Sequence, residues 1–265
     1  MTQLEKLKKW FENHTATLTA FSGGVDSSLV LYVSHLVLGS KARGLISNSE
    51  SLKSKDFQEA VAFCKTYGIP LEVIKTEELQ DSNYNSNPNN RCFFCKNHLY
   101  QAMVDIVQVK YPKHSILNGT NLDDLGDYRP GIEASKLHQV RSPLAELGIN
   151  KASVIALADE LGLPNAYKPP SPCLSSRIPY GTAVNAERLA QIEKAEYLLN
   201  QYGFPQVRVR YRGSLASIEV PQPQIEQLRA QFIPISFGIQ ALGFETVEID
   251  GEGFVSGKLN RAIHE

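Results

Sequence analysis

Phe21-Ser22-Gly23-Gly24-Val25-Asp26-Ser27-Ser28 sets two glycines and three hydroxyls between a strand-like run and an apolar helical run. Glycines at such a turn leave backbone N–H groups uncovered, and the helix N-terminus adds partial positive charge. Ser22, Gly23, Gly24, Asp26 and Ser27, with Ser28, therefore make a cradle suited to a phosphate chain. The loop lacks the lysine of a Walker A sequence, so nothing in it reaches a γ-phosphate that is to be transferred. Its shape suits a departing pyrophosphate. The alternative is a Gly-Gly turn followed by an Asp-Ser helix cap that needs no ligand.

Cysteines supply the second chemistry. Cys92 and Cys95 form a C-x-x-C pair that opens a helix, with Arg91 and Lys96 beside them and His98 three residues on. Two thiolates at this spacing can hold zinc or an iron–sulfur cluster, cycle as a dithiol, or be incidental, and the basic neighbours and helix N-terminus favour the thiolate. Cys173 lies in a proline-rich, polar stretch with Arg177 four residues on, the setting of a nucleophile or ligand. Cys64 sits in an apolar helical run and reads as core. In Gly119-Thr120-Asn121-Leu122-Asp123-Asp124-Leu125-Gly126-Asp127-Tyr128-Arg129, the carboxylates of Asp124 and Asp127 could hold Mg2+ beside a phosphate, or could be a solvated acidic turn. Arg208 and Arg210 alternate along a strand and share one side, with Arg212 continuing the row, which calls for an anionic partner or a solvated face.

These groups need a scaffold. Thr15 to Phe21, Arg43 to Asn48, Pro70 to Ile74 and His114 to Asn118 read as strands, interleaved with helical runs such as Ser54 to Tyr67 and Ser153 to Leu161. The expectation is an α/β fold: an open parallel sheet with helices on both faces, binding its nucleotide at the carboxyl ends of the strands, where Ser22, Asn48 and Thr120 emerge. The Asn-rich stretch 83–90 reads as a loop, and Tyr167 to Pro172, with three prolines, as a stiff connector. Beyond Ala186 come a helix, two strands, a helix over Gln224 to Leu242 and a strand over Thr246 to Asp250. The expected division is a nucleotide domain over 1–170 and a smaller C-terminal α+β domain over 171–265.

With 265 residues and a formal net charge of -1, the chain has material for about two cores and no overall basic balance to call for nucleic acid. Met1 to Glu12 reads as a charged amphipathic helix without a signal-peptide core, and no apolar run reaches the roughly 18 residues of a membrane span, so a cytoplasmic protein is expected.

The loop resembles the S-G-G-x-D-S signature of PP-loop pyrophosphatases, adenine nucleotide α-hydrolase-like folds that split ATP between the α- and β-phosphates. That motif, followed by D-Y-R-P-G (Asp127 to Gly131), C-x-x-S-S-R-x-P-Y-G (Cys173 to Gly181) and V-R-V-R (Val207 to Arg210), resembles the LarE family of ATP-dependent sulfur transferases over nearly the whole chain. The resemblance implies synthesis of a nickel-pincer nucleotide cofactor, by conversion of the carboxylates of pyridinium-3,5-biscarboxylic acid mononucleotide to thiocarboxylates with ATP and Mg2+. It implies Arg129 among the ATP-binding residues; Ser176, Arg177, Arg208 and Arg210 on the mononucleotide; and Cys173 as the sulfur-bearing residue. One branch of the family sacrifices the sulfur of a single cysteine matching Cys173. The pair Cys92 and Cys95 matches instead a three-cysteine branch that holds a 4Fe–4S cluster through all three thiolates. A homo-oligomer, up to a hexamer, is also implied. A cluster-dependent tRNA thiolation enzyme and a non-catalytic ATP-binding redox sensor are the alternative readings.

Overall fold

The computed structural model describes residues 1–126, 130–255 and 258–263. Asp127, Tyr128 and Arg129, and with them the expected roles of Asp127 and Arg129, lie outside the described residues. The chain divides into two compact units, one of Met1–Glu78 with Asn90–Ser171, the other of Leu79–Asn89 with Pro172–Glu265.

The first unit opens with α1 (Gln3–Glu12), whose N-terminus is closed by a reciprocal capping box of Thr2 and Glu5. Then follow β1 (Ala16–Ala20), α2 (Val25–Leu38), β2 (Ala42–Ser47), α3 (Ser54–Tyr67) and β3 (Leu71–Ile74). The chain next passes through α4 (Ser82–Asn85), which belongs to the second unit, and returns with α5 (Arg91–Val109), β4 (His114–Leu117), α6 (Pro130–Leu137), α7 (Pro143–Glu146) and α8 (Lys151–Glu160). The four strands pair in parallel in the order β3-β2-β1-β4. Crossing from β3 past β1 to β4 places β1 between β2 and β4, so the loop after β1 sits mid-edge at the carboxyl ends of the sheet.

Strand alternation sends Leu18, Ala20, Leu45 and Ile116 into a core with Tyr100 and Met103 of α5 and Ala134 of α6. The opposite face meets a larger core built from α1, α2, α3 and α8, with Phe11, Leu29, Val33, Phe63 and Leu157 among its members. Helices thus cover both faces, as the near-continuous burial of β1 requires of a parallel sheet. Cys64 lies in this second core, and burial pushes its thiol up to about 12, so it is an inert packing residue.

The second unit contains α9 (Ala186–Gln201), β5 (Arg208–Arg212), β6 (Leu215–Glu219), α10 (Ile225–Ala230), α11 (Phe232–Gln240) and β7 (Thr246–Ile249). Its sheet runs β5-β6-β7, antiparallel between the first two and parallel between the last two. Val209, Ala216 and Ile218 turn to a core shared with Leu199, Phe204, Leu228, Ile235 and Ile239. The single helix expected over Gln224 to Leu242 is two helices. Pro234 falls in the first turn of α11, where its missing N–H breaks no helical bond, so the proline marks a helix start rather than interrupting a longer one. The Asn-rich stretch, expected to be a loop, contains α4, capped by Asp81 through Asn83 N.

Candidate active site

In the first unit, Ser22 to Ser28 form the turn from β1 into α2. Gly23 has φ of +75°, a backbone state that a side chain disfavours. The Ser27 hydroxyl, buried at the helix start, meets the Ser22 hydroxyl at 3.2 Å, accepts from Ser22 N at 3.3 Å and donates to the Gly24 carbonyl at 3.1 Å. Asn165 braces the loop from behind by donating to the Gly23 carbonyl and to the Ser28 hydroxyl. A cleft of about 410 Å³ opens beside Gly23, bounded by Phe63, Tyr67, Asn165 and Lys168. Asn48 follows β2, and Thr120, whose N–H donates to Asn118, follows β4. The residues of the Ser22 to Ser28 turn therefore share one sheet edge with both of these.

Asp26 is anchored from two directions. Its carboxylate accepts from Asn121 Nδ2 at 3.0 Å and from Lys151 Nζ at 2.6 Å. Sequence reasoning missed Lys151. The fold brings to this loop the cation that the motif itself lacks, from a position 125 residues away that no local spacing could reveal. Close approach of β4 to the start of α2 rests on Gly119, since a Cβ there would lie 2.6 Å from the Ser27 nitrogen. In the acidic turn, Asp123 accepts from Lys151 N at the start of α8, and Asp124 accepts from Asn121 N at 3.1 Å. Asp123 is thereby assigned to capping, and Asp124 to holding its own turn beside the loop. Among the described residues no group of three or more His, Cys, Asp or Glu is gathered as metal ligands. Mg2+ needs only one or two carboxylates besides phosphate oxygens, so the oxygen donors of this loop fit it.

Cys92 and Cys95 occupy the first turn and a half of α5, neither in a disulfide, one exposed and one half-buried. Positions i and i+3 lie on one helix face, which is the disposition a shared ligand requires. Both belong to the first unit, whereas Cys173, also a free and half-buried thiol, belongs to the second.

Around Cys173 the second unit builds a tight polar frame. The Cys173 carbonyl accepts from Ser176 N, from the Ser176 hydroxyl at 2.7 Å and from Arg177 Nη1 at 3.1 Å. Arg177, only 1% exposed, also donates to Pro172 O and to Glu196 of α9 at 2.8 Å. Its guanidinium is fully engaged in shaping this turn. Behind the turn, Tyr84 and Ser175 share a hydrogen bond of 2.7 Å, and Asn87 Nδ2 donates to the carbonyls of Ile178, Pro179 and Thr182.

Arg208 and Arg210, 6% and 8% exposed, share the face of β5 opposite the apolar core, as their alternation predicts. Arg210 donates to Glu219 at 2.8 Å and to the Ser176 carbonyl at 2.7 Å. Arg208 is different. Among the described residues no carboxylate lies within salt-bridge reach of it, and its buried Nε has no acceptor. Burial first, and then the nearby Arg177 and Arg210 charges, lower its pKa to about 10, which leaves it cationic at neutral pH. Glu219 and Glu196 act on it only at longer range, and a buried guanidinium that no carboxylate bonds is costly unless an anion completes it. Ser217, fully buried across the ladder from Arg210, also has a hydroxyl without a partner. Glu196 and Glu219 were not singled out from the sequence. A two-residue hairpin at Gly213 and Ser214 would have registered Glu219 against Arg208.

A family model described as NAD synthase matches residues 5–99, the stretch from α1 into α5. Over 92% of this chain and 88% of the relative, the sequence is 36% identical to pyridinium-3,5-bisthiocarboxylic acid mononucleotide synthase of Lactiplantibacillus plantarum. It is 42% identical, over 99% of this chain and 98% of the relative, to an uncharacterized protein of Synechocystis sp.. An uncharacterized protein of Methanocaldococcus jannaschii is 29% identical over 81% of each chain.

Proposed function

The chain belongs to the LarE family of ATP-dependent sulfur transferases, and on that premise we propose that it adenylates the carboxylates of a pyridinium-3,5-biscarboxylic acid mononucleotide and converts them to thiocarboxylates for a nickel-pincer nucleotide cofactor. The observation that carries the reading is the uncovered glycine loop at the start of α2, a phosphate cradle with no lysine of its own for a transferred γ-phosphate. A carboxylate is a poor acyl donor because it is anionic and its oxygen leaves badly. Attack of a carboxylate oxygen on the α-phosphate breaks the α–β bond, releases pyrophosphate and gives an acyl-adenylate whose leaving group is AMP.

Ser22, Gly23, Gly24 and Ser27 would hold the phosphate chain, Asp26 would set the position of Lys151 beside it, and Asn48 and Thr120 would border the nucleotide. Arg208, the buried cation that no carboxylate bonds, would take the phosphate of the mononucleotide. Arg210 and Arg177 would support it, the first through Glu219 and Ser176, the second by shaping the Cys173 turn. Mg2+ would sit at Asp124 and neutralise charge on the leaving pyrophosphate.

The Cys173 thiolate would displace AMP to form a thioester. Loss of the Cys173 Cα proton with cleavage of its Cβ–Sγ bond would then release the thiocarboxylate and leave dehydroalanine. Cys92, Cys95 and Cys173 are thiols of the kind that hold a 4Fe–4S cluster, which would supply an exchangeable sulfide and spare Cys173. The reading carries a cytoplasmic, homo-oligomeric enzyme. Among the described residues no helix is long and apolar enough to cross a membrane.

The test incubates the protein with ATP, Mg2+ and the biscarboxylate mononucleotide, and follows nucleotides and protein mass together. AMP, pyrophosphate and a thiocarboxylate product are expected; ADP would overturn the adenylation chemistry. Mass spectrometry of Cys173 after one turnover, with iron analysis of anaerobically purified protein, separates the two sulfur sources.

A further inference from the structure

Beyond β7 the chain folds back over the β5–β6 face as a C-terminal strap. Asp250 N donates to Ile218 O at 2.9 Å, and Phe254 N donates to Val220 O at 2.9 Å, so the strap is laid along the end of β6 by its own backbone. Gly253 permits the approach. It has φ of +69°, and a Cβ there would lie 2.7 Å from the Val220 carbonyl oxygen, inside any tolerable contact. Farther on, Lys258 donates to Asp250 at 2.5 Å and lies 3.2 Å from Glu252 and 3.5 Å from Glu219, while Arg261 forks onto Glu252.

Two consequences meet at Arg208. Glu219 faces Arg208 directly in the strand ladder, yet its Oε2 is held by Arg210 at 2.8 Å, and its Oε1, 3.5 Å from Lys258, makes no hydrogen bond. Phe254, delivered by Gly253, lays its ring over the Arg208 guanidinium, with the carbon centre 3.9 Å from the ring centroid. A ring stacked on the flat face of a guanidinium leaves the N–H donors free, because they radiate in its plane. The ring covers one face of the guanidinium, while along its edge the buried Nε has no acceptor within the protein.

We propose that the strap is a working part of the anion site, with Phe254 the positioning residue that fixes the plane of Arg208 for a phosphomonoester. This rests on the assignment of Arg208 to the substrate phosphate. It adds the element that gives that residue its orientation.

The experiment compares binding of nicotinic acid mononucleotide with that of its dephosphorylated riboside, a pair differing only in the phosphate, in the full-length protein and in F254L, F254Y and R208M. ATP binding and thermal melting are followed in each to register folding. Wild type is expected to favour the mononucleotide and R208M to lose that preference. F254L keeps bulk but lacks a π face, and should reduce the preference by about five- to tenfold, the range of a partly desolvated cation–π contact. F254Y should restore it. If R208M keeps the preference, the phosphate assignment fails and the strap's role falls with it. If R208M loses it while F254L discriminates as well as wild type, or F254Y is as defective as F254L, the assignment stands and the role of Phe254 is overturned.

Discussion

Arg208 and Arg210 are two residues apart on one strand face, and only Arg210 is neutralised by a carboxylate. Their substitutions should therefore move stability in opposite senses. R210M leaves Glu219 buried with only Lys258 at 3.5 Å, and R177M leaves Glu196 buried beneath the Cys173 turn. Each is expected to cost about 3–5 kcal/mol, as for a buried pair stripped of one partner. R208M removes a buried cation that no carboxylate bonds, with Glu219 and Glu196 acting only at longer range, and should be neutral or stabilising, while abolishing mononucleotide binding. Urea denaturation reads the first effect and isothermal titration the second. A large stability loss in R208M would mean that the guanidinium is already satisfied within the protein. At this scale the alternation of V-R-V-R was enough to put both arginines on one face, and the glycine–serine stretch was legible as a strand-to-helix turn. The partners were not. Glu196, Glu219, Lys151 and Asn165 meet their targets across long stretches of chain, and nothing in their own neighbourhoods marks them.

The parallel sheet was readable element by element because its strands are short apolar runs punctuated by glycine and proline, and its helices carry a clear buried stripe. What escaped was where helices restart and which turns touch. Pro234 looked like one residue in a long helical run and proved to sit in the first turn of a second helix. Gly119 looked like an ordinary post-strand glycine, yet it lets β4 end against the first turn of α2. G119A should push the two elements apart, at a cost of about 1–3 kcal/mol typical of overpacking, and should weaken ATP binding more than mononucleotide binding. Parallel titrations of the two ligands check this; equal loss of both would place the damage in the fold rather than in the phosphate loop. D26A and S27A should suppress pyrophosphate release without lowering the melting temperature appreciably, since both side chains serve the loop rather than a core. A collapse in melting temperature on either change would contradict that division.

Across the whole molecule, the proline-rich connector is pinned to α3 before the chain passes into the second unit. Lys168 donates to Asp56 at 2.8 Å and to Glu59 at 2.7 Å, and the Ser171 hydroxyl donates to Asp56 at 2.6 Å. Burial raises the Asp56 pKa, but the hydrogen bonds from Lys168 and Ser171 and the charges of Lys168 and Lys53 outweigh it, so the carboxyl lies below its ordinary 3.8. The sign follows: the stabilisation is complete above the ordinary value and is lost as pH falls through the depressed one. Burial lowers the Lys168 pKa, but its bonds to Asp56 and Glu59 outweigh this and hold it above 10.5, so its share fades only as pH rises through that higher value. D56N should be less stable at neutral pH by about 1–3 kcal/mol and should lose less stability than wild type on acidification below about pH 4. Denaturation curves at several pH values decide it, and parallel acid limbs would remove Asp56 from the account. The passage of residues 79–89 into the second unit has a consequence in time. Tyr84 and Asn87 are made early, whereas Ser175, Ile178, Pro179 and Thr182, their partners, follow 91 to 95 residues later. At about 5–20 residues per second of synthesis, Asn87 waits roughly 5–19 s for the carbonyls it will bridge. A nascent chain paused at Ser171 would hold a completed first unit and an excursion still lacking Ser175 and the carbonyls of residues 178, 179 and 182, the kind of surface on which holding chaperones act.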